Sequence, residues 1–310
     1  MMKPALLHHP VCIKHQAHPG HPERPERLIV LEEQLHVSPV MDQITEIEAP
    51  MATLEQIGRV HTQAYISMVE SSAPAPGEAL VQLDPDTAMN EYSLEATKRG
   101  AGAACKAAGM VHNGEARHAF CAVRPCGHHA TRDRAMGFCI YNGIAVGAAY
   151  ALEELGLDRI AILDFDVHHG NGTEDIFEDE ARVLFCSSFQ HPYYPYSNPV
   201  SDRNNIIKSP LAAGSGGTAF RRVVTEDWIP ALETFKPQMI FISAGFDAHE
   251  DDPLAQLCFS QDDYIWFSEQ IVEFANRVCP GQIVSYLEGG YDLSATTSSA
   301  IAHLDVLSSR

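Results

Sequence analysis

The residues of this chain best suited to chemistry gather in four short motifs. The densest is Ile162-Leu163-Asp164-Phe165-Asp166-Val167-His168-His169-Gly170-Asn171-Gly172. An apolar run ends there with Asp164, Asp166 and His168 at every second position, and strand side chains alternate faces, so the three are expected on one side. A carboxylate and an imidazole two residues apart can hold one divalent ion, with Asp164 left to support them. The competing reading is a strand end opening into a solvated turn. Ile242-Ser243-Ala244-Gly245-Phe246-Asp247-Ala248 has the same design, and Asp247 reads either as a further ligand or as a helix N-cap. Open α/β sheets collect their sites at the carboxyl ends of strands, which would place Asp247 beside Asp166 and His168. Three protein donors with a fourth position for water describe a catalytic zinc site, and the same donors suit iron(II).

The third motif, Arg124-Pro125-Cys126-Gly127-His128-His129-Ala130, could set an acid and a base next to activated water. Taken alone it is weak, because the chain has 16 His. The fourth, Leu287-Glu288-Gly289-Gly290-Tyr291-Asp292, offers an irregular turn that presents the Tyr291 hydroxyl to a reacting carbonyl; its plainer reading is a flexible turn with a half-buried Tyr.

These motifs need a scaffold. Apolar runs at 119–123, 159–165, 182–187, 238–243 and 282–287 read as buried strands, and 91–111, 142–155, 219–235 and 262–278 have helical spacing. Alternating strands and helices imply right-handed crossovers and a mostly parallel sheet covered on both faces, an α/β fold. The stretch 191–217, rich in Pro, Asn, Ser and Gly, reads as one long surface loop. No repeat or convincing linker divides the chain, so a single domain over 1–310 is expected.

Composition narrows the partners. The formal charge of −20 opposes nucleic acid and anionic membranes and favours cationic molecules or basic peptides. No apolar run approaches membrane-spanning length, and the first ten residues do not form a signal peptide. The 8 Cys are dispersed without a C-x-x-C pair, which favours a reduced, cytoplasmic chain over a disulfide framework.

Together Gly127-His128-His129-Ala130, Asp164 to Gly172, Ser243 to Asp247 and Glu288 to Tyr291 resemble the histone deacetylase and acetylpolyamine amidohydrolase family. His21-Pro22-Glu23-Arg24-Pro25-Glu26-Arg27-Leu28, His61-Thr62 and Tyr65-Ile66 extend the resemblance in order along the chain, and Asn171 and Glu288 are similar to its class II branch. The resemblance implies an arginase/deacetylase-like domain with a mostly parallel sheet of about eight strands flanked by helices. It implies that Asp166, His168 and Asp247 bind zinc, that Tyr291 and the zinc polarise an acetamide carbonyl, and that His129 serves as base and then acid. By the same resemblance His128 pairs with Asp164 as an electrostatic partner, and Asn171 orients His129. Asp164, the His168 carbonyl and the Ser187 hydroxyl match a structural potassium site.

Phe138 and Tyr194 resemble aromatic walls around an acyl-lysine stem, and Gly137 resembles the carbonyl that accepts the substrate amide N–H. Two positions depart from the family pattern. Cys126 stands where Pro is usual, and Tyr194-Pro195-Tyr196-Ser197 replaces a Gly-rich turn. Leu254 occupies the place of an acidic gatekeeper in polyamine-selective relatives, and a leucine cannot pair with a secondary ammonium, which favours acetyl-lysine peptides or proteins over acetylated polyamines. Against this, His249-Glu250-Asp251-Asp252 and Asp84-Pro85-Asp86 could form an acidic rim, although solvated loop charge is the simpler reading for most of them. A silent acyl-lysine binding module on the same fold is a further alternative, disfavoured by the presence of Tyr291 and both histidines. Oligomeric state is not legible.

Overall fold

The computed structural model describes residues 2–279 and 282–309. Residues 1, 280, 281 and 310 of the expected 1–310 domain lie outside them. Among the described residues the chain forms one eight-stranded sheet from β1 (Ala5–His8), β2 (Thr45–Glu48), β5 (His118–Cys121), β6 (Ile160–Asp164), β7 (Val183–Gln190), β8 (Ile206–Leu211), β9 (Met239–Ala244) and β10 (Ile283–Leu287), while β3 (Val81–Asp84) and β4 (Thr87–Met89) make a separate antiparallel pair. The order in the large sheet is β2-β1-β5-β10-β9-β6-β7-β8, and every pairing in it is parallel. This is the α/β architecture expected from the sequence.

Strands β5, β6, β7, β9 and β10 are buried at every residue, because helices cover both faces, which is why they read as unbroken apolar runs. The edges differ. β2 exposes Thr45, Glu46 and Glu48, and charge on an edge strand discourages pairing with other chains. β8 corrects the reading of 191–217 as one loop. Its Ile206-Ile207-Lys208-Ser209-Pro210-Leu211 looks polar and contains Pro210, but an edge strand tolerates a residue without an N–H. β1 and β2 are only four residues each, too short to show a period.

The helical segment expected at 219–235 is three pieces: Gly217–Val223, a wider π-helical turn Val224–Trp228, and Ile229–Phe235. Pro230 lacks the N–H that would bond the carbonyl four residues back, and the wider turn accommodates that loss. The helices Glu26–Val37 and Leu293–Ser309 were not legible as sequence periods; they pack against each other on one face of the sheet. No helix among the described residues is long and apolar enough to cross a membrane.

Candidate active site

All four motifs end at the carboxyl edge of the sheet. The alternation argument for Asp164, Asp166 and His168 needs a correction, because β6 stops at Asp164 and the other two lie in the irregular segment beyond it. What holds them is a ladder of side chain to backbone bonds. The Asp166 N–H donates to Asp164 Oδ1 at 3.1 Å, and the His168 N–H donates to Asp166 Oδ1 at 2.9 Å. Polar residues at two-residue spacing are therefore brought together by their own turns.

Asp247 follows β9 in a turn and caps no helix, so its N-cap reading is not realised. The Val167 N–H donates to its Oδ1 at 2.9 Å, while Oδ2 is buried without a hydrogen bond and sits 3.2 Å from His168 Nδ1. Asp166 Oδ1 lies 3.0 Å from the same nitrogen. One donor atom from each of Asp166, His168 and Asp247 thus falls within 4.8 Å of the others, all buried. The set fits a divalent cation: two hard oxygens and an imidazole converge, and one oxygen is otherwise unsatisfied. Burial would lower the His168 pKa, but the close carboxylates of Asp166 and Asp247 outweigh it and push it up to about 10. A positive charge is thus strongly wanted between these carboxylates. Gly289 makes the space, since a Cβ there would stand 2.1 Å from Asp247 Oδ2 and 2.5 Å from Asp166 Oδ2.

The neighbouring histidines have opposite partners. His128 Nδ1 donates to Asp164 Oδ2 at 2.9 Å; burial opposes its charge, yet Asp166 and Asp164 hold its pKa well above the ordinary value. His129 Nδ1 donates to Asn171 Oδ1 at 2.8 Å, and burial, then the adjacent His128 and His168, holds its pKa well below. With Nδ1 carrying the hydrogen, His129 keeps a bare Nε2. Its ring centroid is 5.7 Å from that of His168.

Glu288, just beyond β10, is fully buried. Its Oε2 accepts the N–H groups of Gly127 at 2.7 Å and His128 at 3.2 Å, tying the histidine motif to the turn that carries Tyr291. Gly289 N–H donates to Asp166 Oδ2 at 2.8 Å. Arg27 donates to the carbonyls of Glu288 and Gly290, and its guanidinium lies 5.0 Å from the Tyr291 ring. The Tyr291 N–H donates to Asp252 Oδ2 at 2.8 Å. Glu23 sits between Arg27 and Arg124 as the buried counter-charge.

Phe138 and Tyr194 stand beside these groups. The Tyr194 ring is 5.3 Å from His129, and Phe138 is 6.0 Å from Tyr291. Gly137 and Phe138 both have positive φ, 56° and 68°, unusual for a Phe, and the β3–β4 turn clamps them. The Gly137 N–H donates to Asp86 Oδ1 at 3.0 Å, and the Phe138 N–H donates to Thr87 Oγ1 at 3.1 Å. Leu254 is half-buried, and its carbonyl accepts the Tyr193 hydroxyl. Ser187 is the register partner of Asp164 across β6 and β7, and its Oγ lies 2.9 Å from His169 Nδ1.

The acidic rim also needs correction. Asp252 is buried beneath Tyr291, where burial and the Asp247 charge push its pKa up to about 7, and Asp86 is spent on Gly137. Asp252, Asp86, Arg27 and Tyr193 are the site residues that sequence reasoning missed in these roles. Arg27 carried a signal in the His21 to Leu28 motif and Tyr193 as half of a Tyr-Tyr pair, whose ring stacks on His168 at 5.5 Å and 25°.

An eight-stranded parallel sheet with its polar groups gathered at the carboxyl ends of its strands has the layout of an open α/β enzyme. Residues 21–307 match the histone deacetylase domain. A probable deacetylase of Archaeoglobus fulgidus is 35% identical over 300 residues, covering 94% of this chain and 82% of that protein. Histone deacetylase 14, chloroplastic, of Arabidopsis thaliana is 34% identical over 301 residues, covering 92% and 71%. The crystal structure of the HDA15 HD domain superposes with a TM-score of 0.92 at 30% identity, over 99% of this chain and 90% of that one. The chain belongs to the histone deacetylase family. It is accordingly a deacetylase, a hydrolase acting on amides.

Proposed function

We propose that this protein removes acetyl groups from lysine side chains of peptides or proteins, with zinc held by Asp166, His168 and Asp247, and that the whole chain acts as one deacetylase domain. The observation that carries the reading is the buried three-donor group beside a neutral His129 with a bare Nε2. A divalent ion there supplies Lewis acidity to a carbonyl and acidifies water. His129 takes the proton of the attacking water at Nε2 and returns it to the departing amine. Asn171 keeps that ring aimed. His128, charged through Asp164, offsets negative charge developing on the amide oxygen, and the Tyr291 hydroxyl donates to the same oxygen. Phe138 and Tyr194 hold the methylene stem by apolar contact, and the Gly137 carbonyl accepts the substrate N–H.

Leu254 offers no charge to a secondary ammonium, which supports lysine over polyamine. The donors also accept iron(II). Potassium is assigned to Asp164, the His168 carbonyl and Ser187: Glu174 takes the His169 Nε2 hydrogen at 2.6 Å, so Ser187 donates to Nδ1 and keeps its lone pairs for a cation. Seven buried thiols of eight free cysteines fit the reducing cytoplasm.

The test is release of acetate from an acetyl-lysine peptide and from N-acetylputrescine, before and after chelation. Activity on the peptide, lost on chelation and restored by zinc, is expected. Full activity after thorough chelation would falsify the metal assignment, and a preference for N-acetylputrescine would overturn the choice of lysine.

A further inference from the structure

Cys126 and Cys139 take no part in the steps above, yet they form the tightest thiol pair in the described structure. Both are buried, and their Sγ atoms are 3.4 Å apart. The Gly137 carbonyl oxygen lies 3.7 Å from Cys126 Sγ and 3.3 Å from Cys139 Sγ. Glu288 closes the group, with a carboxylate oxygen that falls within 4.8 Å of both sulfurs. Its Oε1 is buried without a hydrogen-bond partner, while Oε2 is held by two backbone N–H groups. A buried carboxylate with one unpartnered oxygen, beside two thiols that converge on one carbonyl, is a donor set suited to a cation.

We propose that Cys126, Cys139 and Glu288, with the Gly137 carbonyl as fourth donor, form a second site for a thiophilic divalent cation such as Zn2+ or Cd2+. Tetrahedral coordination with bonds of about 2.3 Å to sulfur and about 2.1 Å to oxygen gives edges of about 3.8 Å between sulfurs and about 3.6 Å between sulfur and oxygen. The observed 3.4 Å, 3.3 Å and 3.7 Å need shifts of only a few tenths of an ångström. The two sites differ in kind. Asp166, His168 and Asp247 offer oxygen and nitrogen, whereas two sulfurs select against magnesium and calcium. Binding converts both thiols to thiolates and displaces the proton that burial favours on Glu288, so protons are released and occupancy rises with pH. Under the proposed function the Gly137 carbonyl serves the substrate, so an occupied thiol site would slow turnover. That consequence rests on the functional reading; the binding itself does not.

The test is titration of reduced, metal-stripped protein with Cd2+, following the ultraviolet thiolate-to-cadmium charge-transfer absorption. The carboxylate–histidine site cannot produce this signal. Saturation at one thiolate-bound Cd2+ per chain is expected, with the signal lost in Cys126→Ala and in Cys139→Ala, each checked for fold by circular dichroism. No absorption in the unmodified protein, or undiminished absorption in either folded variant, overturns the proposal. Because hydrolysis is not read, failure here is distinct from failure of the deacetylase assignment.

Discussion

The floor of the site and its mouth are built on different principles. Asp164, Asp166, Asp247 and Glu288 each accept at least one backbone N–H, and all four are buried at strand ends. Their hydrogen bonds are in place before any ligand arrives, which is how preorganised electrostatics lowers a barrier. The 193–200 segment beside this floor rests on loops. Tyr196 is 77% exposed and Val200 63%, and Tyr193 is tied to Leu254 through a single hydroxyl. Side chains set this way can change without disturbing the strands. The contrast teaches that reaction and selection are carried by separable parts of the chain, joined at Asp252 and Asp86.

Substitutions can break that contrast, the most severe first. His168→Ala removes the donor shared by Asp166 and Asp247, so kcat/KM should fall on the order of 10³-fold or more together with bound metal, measured by elemental analysis. Retained metal and activity would dissolve the floor as a unit. Tyr291→Phe should lower kcat by about 10²–10³-fold with KM little changed, because a donor to the transition state is lost. A rise in KM alone would move Tyr291 to the mouth.

Two milder changes sharpen it. Leu254→Glu should shift the kcat/KM ratio toward acetylpolyamine by about tenfold while leaving metal content unchanged. Asn171→Asp places an anion on His129 Nδ1, which favours the imidazolium. A base must be neutral to act, so the acid limb of the kcat/KM profile should move upward by about one pH unit. An unmoved limb would detach His129 from that titration.

Legibility followed the same division. The floor could be read because its residue types are costly to bury and recur at fixed places after apolar runs: Asp166, His168, Asp247 and the histidine pair all meet at one edge. Even so, strand alternation does not hold Asp166 and His168; turns stabilised by Asp164 and Asp166 bring them together. The connectors were hidden. Asp252 and Asp86 resemble any loop carboxylate until their partners, Tyr291 and Gly137, arrive from distant segments. β8 stayed hidden because an edge strand with Lys208, Ser209 and Pro210 lacks the apolar run that marks a central one.

The uniform direction of the large sheet also gives the molecule a silent pole. Every strand in it begins on the rim opposite the four motifs, where Arg159 contacts the Lys236 carbonyl and Arg182 pairs with Glu153 and Glu180. A surface attachment, spectroscopic label or crystallisation mutation placed there lies far from the buried carboxylates and histidines, whereas the same modification at Tyr193 or Tyr194 would touch the rings beside His168 and His129.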